Sequence, residues 1–297
     1  MRIGVDFGGT KIEAAALDED GAFAARIREP NPGSYDAALA LVSDLITRVE
    51  AEAGAARSVG VAIPGSTSPR TGLIRNANST YLNGRRFGDD LEAALGRPVR
   101  LANDANCLAL SEAVDGAGEG VASLFGVIVG TGCGGGLIID GKLVEGAHGV
   151  AAEIGHISLP WPSADEAPGP ACWCGLNGCL ETWVSGSGFQ RDHERATGRA
   201  WKAQAVVEAA REGDPGAEAA LDRYIDRLGR ALAMAVNLAD PDIFVLGGGM
   251  SNVEELYDRL PEIVARHAFS DRWEGRILPA RWGDSSGVRG AARLWLD

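Results

Sequence analysis

Three thiols fall within eight residues in Cys172-Trp173-Cys174-Gly175-Leu176-Asn177-Gly178-Cys179, with glycines to curl the chain between them. Cysteines spaced this closely on a Gly-rich loop suit tetrahedral Zn²⁺. A disulfide is the competing chemistry. It leaves one thiol of the cluster over, and the chain's five cysteines are odd in number in a sequence with nothing marking it for export. The fourth zinc ligand is expected to be a histidine, and the chain has four: His148, His156, His193 and His267. Of those in a strand-like setting, His156 in Glu153-Ile154-Gly155-His156 lies nearest the start of the cluster. Four protein ligands close such a site, so the expected zinc is structural and not the catalyst.

Two Gly-Thr loops offer a different chemistry. In Asp6-Phe7-Gly8-Gly9-Thr10-Lys11 a carboxylate ends an apolar run and is followed by backbone donors and a hydroxyl. An Asp so placed can hold hydrated Mg²⁺ while the loop takes phosphate oxygens. The plain alternative is an Asx-type turn. Gly130-Thr131-Gly132-Cys133-Gly134-Gly135 fits the G-x-G-x-x-G spacing of dinucleotide sites, but that fingerprint must open a helix. Here Leu137-Ile138-Ile139 and an Asp-Gly turn follow, so a phosphate-cradling hairpin is the better reading. Asp104, in Leu101-Ala102-Asn103-Asp104-Ala105-Asn106, is either the N-cap of a helix or an acid that accepts a proton from a substrate hydroxyl.

These residues need elements to carry them. The apolar runs Ile3-Gly4-Val5, 125–129 and 243–246 read as strands, each entering a Gly cluster. After the first, Ile12 to Leu17 and Asp20-Gly21 repeat what Leu137 to Ile139 and Asp140-Gly141 do after the second. Two strand–Gly loop–strand–DG–strand units predict an internally duplicated, two-lobed α/β chain. Helices are predicted over 37–53, with Leu41, Leu45 and Val49 as the buried stripe, and over 89–95, 104–114, 218–238, 252–267 and 285–296. The Pro- and Ala-rich stretch 160–170 reads as an irregular loop.

Composition narrows the partners. The 297 residues carry 28 Lys+Arg against 41 Asp+Glu, a net charge of −13, which disfavours nucleic acid and anionic membranes. The N-terminus lacks a signal peptide's apolar core, and no stretch reaches the roughly 18 apolar residues of a membrane span. A cytoplasmic protein with reduced thiols is expected.

Taken in order, Asp6-x-Gly8-Gly9-Thr10-Lys11, Asn103-Asp104-Ala105-Asn106, Gly130-Thr131-Gly132, Glu153-x-Gly155-His156, the 172–181 cysteine motif ending in Glu181, and Gly247-Gly248-Gly249 make the chain resemble the ROK family of sugar kinases over essentially its full length. The resemblance implies two ribonuclease-H-like lobes of the actin/hexokinase-like ATPase fold, a cleft between them and a small zinc-bound loop. The N-terminal lobe would span 1–118 with the C-terminal helix 284–297 returning to it. The C-terminal lobe would span 119–283 with its zinc loop at 153–181.

By the same resemblance Asp104 is the general base. Asn83, Asn103, Glu153, His156 and Glu181 would hold the other sugar hydroxyls, so that His156 serves zinc and sugar together with Cys172, Cys174 and Cys179 as the remaining metal ligands. Asp6, Gly8, Gly9, Thr10, Lys11, Thr131 and Gly132 would meet the ATP phosphates and Mg²⁺, and Gly248 and Gly249 would floor the adenosine pocket. Within the family, 76–84, 111–116, 130–134 and 283–290 are most similar to bacterial fructokinases of the manno(fructo)kinase type. The activity so implied is ATP-dependent phosphorylation of D-fructose at its 6-hydroxyl, with mannose a secondary substrate and a homodimer the expected state. The enzymatic alternative is an N-acetylglucosamine or glucose kinase; the non-enzymatic one is a sugar-responsive sensor or repressor. A repressor is disfavoured by a phosphate motif that begins at residue 6 and by the acidic charge. Cys133 stands where many relatives carry an aliphatic residue and is expected to pack without reacting.

Overall fold

The structure, a computed structural model, describes residues 1–295. The chain divides into two compact units. The first comprises 1–119, 136–151 and the C-terminal segment from Asp284, and the second comprises 120–135 and 152–283. The expected boundaries are shifted in one respect: 136–151 groups with the first unit. Its physical tie is Arg75, whose guanidinium donates to the His148 carbonyl.

In the first unit β1 (Arg2–Phe7), β2 (Lys11–Leu17) and β3 (Phe23–Pro30) form an antiparallel meander, and β4 (Val59–Ile63) and β7 (Val99–Asn103) extend it in parallel. A short pair, β5 (Ser66–Thr67) and β6 (Ile74–Arg75), forms its own ribbon. The sheet order is β3-β2-β1-β4-β7. β4 is buried at every position, as a parallel strand covered on both faces must be. Helix α1 (Tyr35–Ala53) covers the sheet with Ala38, Val42, Leu45, Ile46 and Val49. The stripe is therefore rotated from the expected one, and Leu41 lies at its half-buried margin. Helix α2 (Phe87–Leu95) adds Phe87, packed edge-on to Phe7 with ring centroids 5.4 Å apart.

Helices α3 (Asp104–Asp115) and α9 (Ser286–Ala292) pack together in this unit. α9 approaches the sheet so closely that a Cβ on Gly4 would lie 1.9 Å from the Val288 carbonyl oxygen, and one on Gly60 2.0 Å from that of Ala291. α9 is shorter than the expected 285–296, because residues 293–295 form a turn; positions 296 and 297 lie outside the described residues.

The second sheet repeats the plan. β8 (Ser123–Val129), β9 (Cys133–Ile139) and β10 (Lys142–Leu143) are followed by β11 (Ile243–Gly247) and β12 (Arg276–Pro279), in the order β10-β9-β8-β11-β12. Asp140 and Gly141 both take positive φ, 49° and 73°, the conformation a two-residue hairpin demands. The helices of the second unit are α4 (Glu181–Val184), α5 (Gly186–Thr197), α6 (Ala203–Arg211), α7 (Pro215–Ala239) and α8 (Glu255–His267). Asp214 caps α7 by accepting from the Ala217 N–H at 2.9 Å, and Pro215 follows at the first helical position. No described helix is long and apolar enough to cross a membrane.

The stretch 160–170 is ordered by charge. Glu166, at the end of a short 3₁₀ turn (Ala164–Glu166), accepts from the buried Arg227 and Arg230 of α7, each at 2.8 Å. Burial raises its pKa, but the two guanidiniums and the Ser163 N–H more than offset this and hold it at about 2.

Candidate functional site

The thiol cluster closes as a knuckle. The Cys172 N–H donates to the Leu176 carbonyl at 2.8 Å, the Gly175 N–H to that of Cys172 at 3.1 Å, and the Gly178 N–H to that of Pro170 at 2.8 Å. His156 sits in a 3₁₀ turn (Ile154–His156) and not in the strand-like setting expected. It reaches the thiols because the chain after it pairs with the chain around Cys179: Leu159 donates to Gly178 at 3.0 Å and Leu180 to Ile157 at 2.8 Å. The donor atoms of His156, Cys172, Cys174 and Cys179 all lie within 4.8 Å of one another. Nδ1 of His156 is 3.7 Å from Sγ of Cys172, and Sγ of Cys174 is 3.5 Å from Sγ of Cys179. Zn–S bonds of about 2.3 Å in a tetrahedron place sulfurs roughly 3.8 Å apart, so this donor set fits zinc. Backbone donation from Leu176 lowers the Cys174 thiol to about 7, whereas burial raises that of Cys172 and pushes that of Cys179 up to about 12, so deprotonating the whole set is coupled to binding a metal.

Glu181 begins α4 immediately after the knuckle, and both of its carboxylate oxygens are held. The Trp173 indole N–H donates to Oε1 at 2.7 Å and the Cys133 backbone N–H to Oε2 at 3.0 Å. The carboxylate lies over the second Gly loop so closely that a Cβ on Gly132 would be 2.6 Å from Oε2. Glu153 precedes the His156 turn and is half-buried. That turn packs on β9 at Gly155, where a Cβ would be 2.0 Å from the Cys133 carbonyl oxygen. Glu153, His156, Glu181 and the Gly132 loop thus share one neighbourhood of the second unit. Cys133 is buried, which pushes its thiol up to about 12. It packs, as expected, and stays protonated.

In the first unit the side chain of Asn103, not Asp104, caps α3, accepting from the Ala105 N–H at 2.9 Å while donating to the Gly65 carbonyl at 3.1 Å. Asp104 is the first helical residue and half-buried, and its Oδ1 also accepts from the Ala105 N–H, at 2.9 Å. Asp6 ends β1 near it. Burial, then the negative charges of Asp104 and Glu13, raise Asp6 to about 7 despite the opposing Lys11 and Arg28. A site that makes ionisation of a carboxylate this costly is one that a bound cation would satisfy. Asp6, Lys11 and Asp104 are therefore neighbours here, while Gly9 and Thr10 form the exposed tip of the loop and Gly8 is half-buried within it.

The Asn83 carboxamide is engaged at both ends with Ala77, accepting from its N–H at 2.9 Å and donating to its carbonyl at 3.0 Å. Asn31, which sequence reasoning missed, ties that segment to the first Gly loop. Its Nδ2 donates to the Gly8 carbonyl at 2.7 Å, its Oδ1 accepts from the Tyr81 hydroxyl at 2.7 Å, and its N–H donates to Thr10 at 2.9 Å. The only sequence signal is its place directly after β3 in Pro30-Asn31-Pro32-Gly33.

A cavity of about 620 Å³ lies wholly within the second unit. Its walls include Gly130, Thr131, Gly249, Met250 and Val253 from the Gly loops, with Gln190, Lys202, Gln204 and Val207 from α5, α6 and the segment between them. Apolar walls with a few polar groups at this volume suit a nucleoside-sized ligand. Gly132 and Gly248 stand outside the lining; Gly248, with φ of 84°, backs onto Gly130. The α5 residues escaped sequence reasoning because that helix is mostly polar, whereas α6 carries an apolar set, Val206, Val207 and Ala210, that could have found it.

The sequence pattern of the ROK family matches residues 2–297. The chain is 42% identical to an N-acetylgalactosamine kinase of Shewanella sp. (strain ANA-3) over 99% of its length and 96% of that protein's. It is 39% identical to an N-acetyl-D-glucosamine kinase of Pectobacterium atrosepticum over 100% and 99% of the two chains. Its fold superposes on a ROK family glucokinase from Streptomyces griseus, crystallised with glucose and AMPPNP, with a TM-score of 0.81 and 32% identity, covering 99% and 98% of the two chains.

The expectation of a fructokinase finds no support among these relatives, which are kinases of N-acetylated amino sugars and glucose. The fructokinase likeness rested in part on the 76–84 stretch. There Asn83 holds the loop through Ala77, and Tyr81 anchors it to Asn31. With its motifs placed on the duplicated sheets and its full length matched, the chain belongs to the ROK family.

Proposed function

We propose that this chain transfers the γ-phosphoryl group of ATP to the 6-hydroxyl of an N-acetylhexosamine, N-acetylglucosamine or N-acetylgalactosamine. The observation that carries the reading is the near-complete coverage, at 42% and 39% identity, of two kinases of those sugars. The cavity beside Thr131 and Gly249 is the natural seat for the adenosine. In this reading Asp104 accepts the proton of the 6-hydroxyl as it attacks phosphorus, through the carboxylate oxygen other than the Oδ1 that accepts from the Ala105 N–H.

Asn83, Asn103, Glu153, His156 and Glu181 orient the sugar, which fixes the attacking oxygen in line and lowers the entropic part of the barrier. Asp6, Thr10, Lys11 and the amides of Gly8, Gly9, Thr131 and Gly132 face the triphosphate, with Gly248 and Gly249 behind the nucleoside. Asp6 is the residue that would hold hydrated Mg²⁺, which supplies charge neutralisation on the phosphoryl oxygens when bound. His156, Cys172, Cys174 and Cys179 would hold zinc, which supplies a fixed imidazole orientation next to the sugar residues. A cytoplasmic homodimer belongs to the same proposal.

The test is coupled ADP release with MgATP against N-acetylglucosamine, N-acetylgalactosamine, glucose, mannose and fructose. The expected result is the highest kcat/KM with an N-acetylated sugar. A lead for glucose or fructose would replace the substrate but keep the kinase, and no turnover with any of the five would remove the kinase reading.

A further inference from the structure

Trp173 lies between Cys172 and Cys174 of the candidate zinc site, and its side chain carries no metal-ligating atom. It is 63% exposed, an unusual placement for an indole, and two contacts fix where it stands. Its N–H donates to Glu181 Oε1 at 2.7 Å, and its ring meets the His156 imidazole edge-on with centroids 4.9 Å apart. Both neighbours belong to the set proposed to hold sugar hydroxyls. The indole N–H is spent on Glu181, so what remains open to a ligand is the apolar face of the ring. The other residues of that set, Glu153, Glu181 and His156, offer only polar or charged groups.

Resting on the functional reading above, we propose that Trp173 is a sugar-specificity residue. Its N–H holds the Glu181 carboxylate for the sugar hydroxyls, and its exposed ring face packs on the apolar side of an N-acetylhexosamine, where the acetamido methyl needs a non-polar neighbour. The carboxylate can serve both partners. It has about four acceptor sites, and the Trp173 and Cys133 N–H groups occupy two. An indole contributes a large apolar surface at little conformational cost, and it sits on a loop that the metal knuckle would hold still.

Two substitutions separate the contributions. Trp173→Phe keeps a ring and loses the donor. Trp173→Gln returns an amide N–H along a path of the same number of bonds and loses the ring. The experiment measures KM for N-acetylglucosamine, glucose and ATP, zinc per chain, and the change in tryptophan emission when N-acetylglucosamine is added without ATP. Trp173→Phe is expected to raise KM for both sugars about tenfold, the worth of one hydrogen bond to a charged group, with KM for ATP and zinc content unchanged. Trp173→Gln is expected to raise KM for N-acetylglucosamine more than for glucose. The sugar-induced emission change of the wild type should vanish in both variants.

Unchanged sugar KM values in both variants, with an active wild type, would overturn the proposal and leave the kinase reading standing. Loss of zinc in both variants would overturn it too, by making Trp173 a structural part of the knuckle. A wild type that phosphorylates none of the sugars would remove the functional reading and this proposal with it.

Discussion

Glu166→Gln should destabilise the second unit by an amount that depends on pH. Glu166 accepts from Arg227 and Arg230, whose side chains are 5% and 7% exposed, and is itself 10% exposed. Its pKa falls from an ordinary 4.5 to about 2. At 1.36 kcal/mol per unit, that difference is worth about 3 kcal/mol at neutral pH, within the range found when one partner of a buried ion pair is removed. The neutral amide leaves Arg230 with Asp226 and the carbonyls of Pro160 and Trp161, and Arg227 with Asp192.

Because the folded pKa is the lower one, the stabilisation is complete above the unfolded value of 4.5 and is lost as pH falls through about 2. The gap between wild type and variant should be about 3 kcal/mol at pH 7 and shrink to about 2 kcal/mol at pH 3.5. For a unit of this size the neutral-pH gap corresponds to a Tm lower by roughly 6–12 °C. Calorimetric melts of both proteins at the two pH values measure it, and loss of zinc at acid pH affects both alike. An unchanged Tm at pH 7, or a gap that ignores pH, would refute the ion-pair account of how the 160–170 stretch is anchored.

Other outcomes follow from the same geometry. Asp104→Asn should lower kcat by about 10²- to 10⁴-fold while sugar KM stays within a few-fold; near-normal turnover would remove the general-base assignment. Cys174→Ser should purify with its zinc largely lost and with a lower Tm, and metal analysis showing full occupancy would contradict the four-ligand site. Asn31→Ala should cost about 1–2 kcal/mol and raise KM for MgATP, because Gly8 loses its anchor, whereas Tyr81→Phe removes only one of the bonds and should do less. Equal KM values for MgATP in Asn31→Ala and wild type would show that the first Gly loop holds its shape unaided.

What the sequence made legible is local chemistry with a fixed spacing. The Asp140-Gly141 turn, the thiol cluster and the apolar runs of β1, β8 and β11 each depend on a few adjacent residues, and each stands where expected. The parts that were missed depend on contacts between distant residues. No periodicity connects Glu166 to Arg227 and Arg230, or Asn31 to Gly8 and Tyr81. The α1 stripe was displaced because Leu41 and Val42 are both apolar, and only the sheet beneath decides which faces inward. The N-cap falls on Asn103 and not on Asp104, since either residue type caps a helix, and the long-range bond from Asn103 to the Gly65 carbonyl leaves no trace in the local sequence.

The seating of α9 against β1 and β4 has a consequence for how the chain is made. The strands β1 to β7 leave the ribosome before any of the second unit, but the helix that covers Gly4 and Gly60 is translated only after the bulk of that unit. During that interval the part of the first sheet around Gly4 and Gly60 lacks its native cover, with only α3 packed beside it at Ala62 and Ala102, while the later-born 152–283 stretch already has its own. Synthesis order and completion order are therefore reversed: the second unit is able to finish first, and the first remains an open sheet until its last helix arrives. A chain stalled just before Asp284 would expose that part of the sheet, and would be the form most dependent on chaperones.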